Sequence, residues 1–77
     1  MTWNYRIIKH QEEKRAYYAI HEVLYDDKER ITSWTENPID VIGDNKNDIM
    51  SILKQMTSDC KTPVLNEAEL LKTLKQG

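Results

Sequence analysis

Between Trp3 and Glu36, three runs rich in aromatic and β-branched residues are separated by polar clusters of only five and four residues. Runs of this composition form strands. Links this short join antiparallel neighbours, because a parallel return needs a crossover of about a dozen residues or more. The runs are Trp3 to His10, Ala16 to Tyr25 and Arg30 to Glu36, with Gln11 to Arg15 and Asp26 to Glu29 as turns. Ala16 to Tyr25 carries the strongest strand signal, and Asn37-Pro38 ends the third run because proline disfavours continued sheet pairing. The expectation is a three-stranded antiparallel meander.

The period changes after Gly43-Asp44-Asn45. Ile49, Ile52, Leu53 and Met56 fall at i, i+3, i+4 and i+7, one apolar stripe of a helix. Asp48, Ser51, Lys54 and Gln55 take the opposite side, so this helix is built to lie on a sheet. Asp44 or Asn45 caps its start, and it should stop near Asp59 or Lys61, ahead of Thr62-Pro63. A weaker helix is predicted from Asn66 to Gln76, where Asn66 and Glu69 resemble a capping box and Leu70, Leu71 and Leu74 form a short stripe. The fold class is therefore α+β: a β-β-β-α domain over residues 1–65, with a helical extension over 66–77.

Strand alternation then sorts the side chains. In the simplest register one face carries Trp3, Tyr5, Ile7, Ala19, His21, Val23 and Trp34, and the Ile49–Met56 stripe is expected to pack there. The other carries Asn4, Arg6, Ile8, Tyr18, Ile20, Glu22, Leu24, Ile31, Ser33 and Thr35. A slip of one residue in either hairpin would exchange a whole strand between faces. Tyr18, Ile20, Leu24 and Ile31 are too much apolar area to leave in water, which makes Tyr18, Ile20, Glu22, Leu24 and Ile31 the candidate interface. The C-terminal helix, a second chain or a partner protein can cover it. Self-association leads, because a chain of 77 residues buries only a modest core.

Other stabilising devices are missing. Cys60 is the only cysteine, so no intramolecular disulfide forms, and a lone thiol fits a reducing compartment. His10, His21 and Cys60 show no paired metal-ligand spacing, so neither a metal nor another cofactor is expected. With 11 basic and 13 acidic residues alternating along the chain, no basic face announces a nucleic-acid partner. Trp3, Tyr5, Tyr17, Tyr18, Tyr25 and Trp34 accordingly read as core and interface residues rather than a base-stacking platform. No apolar run reaches the ~20 residues of a membrane span, and the start M-T-W-N-Y-R lacks a signal-peptide pattern, which predicts a cytoplasmic protein.

No catalytic constellation emerges either. His21 and Glu22 are adjacent in a strand and point to opposite faces, so they cannot act as an acid–base pair. His21 reads as a hydrogen-bonded core residue, and Glu22 is expected to pair with Arg6 across the first hairpin. Thr32, Ser33 and Thr35 sit in no nucleophile motif, and Gly43 and Gly77 make no phosphate loop.

The strings Trp3-Asn4-Tyr5-Arg6-Ile7-Ile8, Tyr18-Ala19-Ile20-His21-Glu22-Val23, Trp34-Thr35-Glu36-Asn37-Pro38 and Pro63-Val64-Leu65 together resemble a family of short, uncharacterised bacterial and phage proteins. A more distant likeness is to HicB-type antitoxin domains, which share the meander and a Gly-Asp loop opening a helix, here Gly43-Asp44. That likeness implies a dimer that masks a partner's active site. The residues after Leu65 are too few for the DNA-binding unit such antitoxins often append. The sequence thus points to a non-enzymatic binding or regulatory protein acting through protein contacts as a homodimer, with an antitoxin-like or nucleic-acid-directed regulator as the alternative.

Overall fold

The computed structural model describes residues 2–75, with side chains to residue 73. The chain is α+β. Its elements are β1 (Thr2–Glu12), β2 (Arg15–Tyr25), β3 (Ile31–Trp34), α1 (Lys46–Asp59), β4 (Leu65–Asn66) and α2 (Glu67–Lys75). The strands form one four-stranded sheet in the order β3-β2-β1-β4. The expected meander is present, with β1–β2 and β2–β3 antiparallel. An additional two-residue strand, β4, runs parallel to β1 and pairs Ile8 with Leu65 and Lys9 with Asn66, a pairing too short to show any period in the residues. The division expected at residue 65 falls inside that strand. Among the described residues, no helix is long and apolar enough to cross a membrane.

The first hairpin departs from the expected register by one residue. Its strands run to Glu12 and Arg15, leaving Glu13-Lys14 as a two-residue turn instead of the five-residue cluster read from composition. Glu13 takes φ 46°, the left-handed conformation that lets a turn this tight follow the twist of its strands. Tyr5 therefore faces Glu22, Ile7 faces Ile20 and Lys9 faces Tyr18, so β1 is turned over relative to β2. One face now carries Asn4, Arg6, Ile8 and His10 with Tyr17, Ala19, His21, Val23 and Tyr25. The other carries Trp3, Tyr5, Ile7 and Lys9 with Tyr18, Ile20, Glu22 and Leu24. The charged tip reads as a loop by composition, whereas backbone pairing continues through it to Glu12 and Arg15.

The second turn is built around one carboxylate. Asp26 Oδ1 accepts the backbone N–H groups of Lys28 (2.8 Å) and Arg30 (2.9 Å), and Oδ2 meets Arg30 Nε at 3.1 Å. These donors, led by the Arg30 amide, hold the Asp26 carboxyl below its usual range. Beyond β3 the chain stays on the edge of β2, with Thr35 N–H bonded to Glu22 O at 3.0 Å and Ile39 N–H to Ile20 O at 2.9 Å. Pro38, which has no N–H to give, lies between those two bonds on an edge where that is tolerated.

Asn45 caps α1 as expected, its Oδ1 accepting the Asp48 N–H at 3.0 Å while the Asp48 carboxylate accepts the Asp44 N–H at 3.1 Å. Gly43 is required by proximity, since a Cβ there would stand 2.6 Å from Asp48 Cβ. Of the predicted stripe, Met56 is buried and Ile49 and Ile52 half-buried, but Leu53 is exposed. The helix makes its sheet contacts with β1, toward one margin of the sheet, so the whole stripe does not find cover. Asp59 explains that placement: its Oδ2 accepts the Tyr5 backbone N–H at 3.1 Å. An acid in the last turn opposes the helix dipole, yet here it satisfies an outward N–H of β1 that no strand reaches.

α2 begins where Asn66 Oδ1 accepts the Ala68 N–H at 2.9 Å, the cap read from sequence. Leu70 is half-buried and Leu71 exposed. The side chain of Leu74 and residue Gln76 lie outside those described.

Two substitutions test these joints. Asp59→Ala should destabilise by about 1–3 kcal/mol, the cost of stranding a partly buried donor, and Asp59→Asn by less because its amide oxygen still accepts; urea unfolding measures both. Glu13→Gly should stabilise by up to about 1 kcal/mol, because glycine carries no penalty at positive φ. A loss of stability there would contradict the turn.

Candidate interaction face and buried histidine pair

The turned-over register sorts the hairpin into a wet and a dry side. Ile8, His21 and Val23, the fully buried strand side chains, all fall on one face. Both side-chain tethers to the C-terminal part of the chain leave from this same face: Arg6 Nη2 donates to the Pro63 carbonyl at 2.7 Å, and His10 Nδ1 meets Glu67 Oε1 at 3.0 Å. Arg6 also donates to the Tyr25 hydroxyl at 2.8 Å, which in turn donates to Asn4 Oδ1 at 2.8 Å. The expected Arg6–Glu22 pair is therefore absent, because the slip puts Arg6 opposite His21 and leaves Glu22 on the far side.

That far side is the candidate interface. Tyr18, Ile20, Glu22 and Leu24 alternate along β2 as expected. Ile31 does not join them: an irregularity at Leu24/Tyr25 places it across from Tyr25, while Ser33 takes the place opposite Leu24. In exchange β1 contributes Trp3, Tyr5 and Ile7 where sequence reasoning put Asn4, Arg6 and Ile8. The face is consequently more apolar than expected. Trp3 is 47% exposed and Tyr18 60%, while Ile7, Ile20 and Leu24 are half-buried and Tyr5 is buried. Trp3 stands edge-on to Tyr5 at 5.2 Å, and burial, with the Glu22 and Asp59 carboxylates adding to it, raises the Tyr5 phenol above its usual value.

On the dry side lies a hydrogen-bonded chain that the sequence only half disclosed. His10 Nε2 and His21 Nε2 meet at 2.9 Å, and His21 Nδ1 meets the Thr35 carbonyl at 2.8 Å. His10 also stacks on Tyr17, 4.8 Å between ring centroids. The partners fix the protons. A carbonyl only accepts, so His21 Nδ1 carries hydrogen and, in the neutral ring, its Nε2 accepts. His10 Nε2 therefore donates, and one further proton must lie between His10 Nδ1 and the Glu67 carboxylate. A second proton on His21 would set two N–H groups against each other. Burial, with the His10 ring adding to it against the pull of Thr35 and Glu67, lowers the His21 pKa. His21 is thus the hydrogen-bonded core residue expected, with both nitrogens engaged. His10 and Glu67 were missed because no spacing rule links a strand histidine to a helix start so far along the chain.

Cys60 is half-buried, and burial, helped by Asp59 and opposed by Arg6, raises its thiol pKa, which suits a small packed side chain better than a nucleophile. Among the described residues, no group of three or more His, Cys, Asp and Glu side chains is placed to hold a metal ion. No family model, curated protein or solved structure matches the chain.

The proton arrangement gives a signed expectation. His21 takes up its proton at a lower pH when folded than when unfolded, so the unfolded chain binds more protons in between. Its contribution to stability is complete above about pH 6.5, the unfolded value, and is lost as pH falls through the folded value. His21→Asn, which keeps a donor for Thr35 but strands the His10 N–H, should cost about 1–3 kcal/mol at pH 7.5. The cost should shrink toward pH 5; urea midpoints at both pH values measure the difference, and a constant cost would contradict the proton assignment.

Proposed function

We propose that this protein is a non-enzymatic binding module that works through protein–protein contacts, as a homodimer, using the β1–β2 face that bears Tyr18, Ile20, Glu22 and Leu24. The observation that carries this reading is the gathering of Trp3, Ile7, Tyr18, Ile20 and Leu24 on one side of the hairpin, while the Arg6–Pro63 and His10–Glu67 tethers leave from the other. Covering such side chains at about 25 cal/mol per Å² is worth several kcal/mol. That is comparable to the whole stability of a domain this small. Tyrosine and tryptophan at its rim are the residue types that dominate binding energy at protein interfaces. The binding reading is favoured over an enzymatic one because His21 has both ring nitrogens occupied. A lone, packed thiol fits the reducing cytoplasm.

Sedimentation across a concentration series tests the proposal. The wild-type chain, 9.1 kDa as a monomer, should run at twice that mass. Ile20→Glu with Leu24→Glu should return it to the monomer with its circular dichroism retained. A wild-type monomer at every concentration, or a double variant that still dimerises, would overturn it.

A further inference from the structure

The face described above is self-complementary in both charge and size, and that selects one way of pairing two copies. Its side chains form five cross-strand rows: Trp3–Leu24, Tyr5–Glu22, Ile7–Ile20, Lys9–Tyr18 and Gln11–Ala16. Ile7–Ile20 is the middle row. One row away on either side lie an acid and a base, Glu22 and Lys9. Two rows away lie the bulkiest pair, Trp3–Leu24, and a row containing the small Ala16.

Lys9 and Glu22 are both half-buried, and among the described residues neither side chain has an ion-pair or hydrogen-bond partner. Neither has a buried charged atom left unsatisfied, so each can pair across a contact, where a surface of opposite charge steers docking and fixes its register. We infer that a second copy of this chain seats face to face on the hairpin, about a two-fold axis that runs across the strands at the Ile7–Ile20 row.

That axis inverts the order of the rows. Glu22 then meets the row of the partner's Lys9 and the partner's Tyr18, whose ammonium and hydroxyl both donate to a carboxylate. The exposed Trp3 descends over the row of the partner's Gln11 and the partner's Ala16, whose small side chain leaves it room. Ile7 and Ile20 meet their own symmetry mates at the dry centre. A two-fold axis along the strands would instead lay Lys9 over Tyr18 and Glu22 over Tyr5, leaving both charges without their opposites. Two sheets packed with strands nearly aligned is also the common geometry of stacked antiparallel sheets. In such an isologous interface each complementary contact occurs twice.

This inference rests on the dimeric reading and refines it, and its test separates the two. Lys9→Glu and Glu22→Lys should each weaken self-association about 100-fold, because each sets like charges together twice. Mixed in equal amounts, the two variants should form a heterodimer, since every Glu then faces a Lys. Ala16→Glu, on an exposed hairpin end, should abolish pairing without touching the fold. Sedimentation reads the mass and circular dichroism the fold. A wild-type monomer would remove the dimeric reading itself. A wild-type dimer that survives the charge reversals or Ala16→Glu, or folded single variants that fail to pair when mixed, would overturn this geometry and leave the dimeric reading standing.

Discussion

Everything in this domain depends on the register of one hairpin. A two-residue turn at Glu13-Lys14 determines that Ile8 and not Ile7 joins Val23 and His21. Because strand side chains alternate, the same turn determines which aromatic residues meet solvent. The core and the candidate interface are thus two consequences of one backbone choice.

The dry side is small and unusually polar. Two histidines and an arginine share it with Ile8 and Val23, and each histidine is tied to a defined acceptor. Such a network stabilises to the extent that its members are satisfied, because an orphaned donor in low dielectric costs more than a made bond returns, and among the described residues Arg6 Nε is a buried donor without a partner. The network here spans β1, β2, the segment after β3 and the start of α2, so it fastens together parts that apolar contact alone joins thinly.

Much of the architecture was legible in the residues. The strand runs, the Asn45 cap, the end of α1 at Asp59 and the start of α2 after Asn66 follow from local rules of propensity and capping. The alternation of Tyr18, Ile20, Glu22 and Leu24 was equally local. Relations between elements were not. Glu12 and Arg15 look like loop residues by composition, so the hairpin seemed shorter and its register even; β4 has too few residues to show a period. Ile31 left the face through a bulge that its own sequence does not mark. The partners of His21 were hidden because Glu67 reaches His10 only through the parallel pairing that brings the chain back beside β1.

That last closure bears on the order of synthesis. A hairpin leaving the ribosome already places His10 against His21, but the proton that His10 Nδ1 shares has no carboxylate to meet until Glu67 has been translated. For that interval the nascent hairpin holds a polar ring it cannot yet bury comfortably, and water must remain on that side. The buried histidine pair therefore keeps that side of the hairpin wet until the segment bearing Glu67 has joined it.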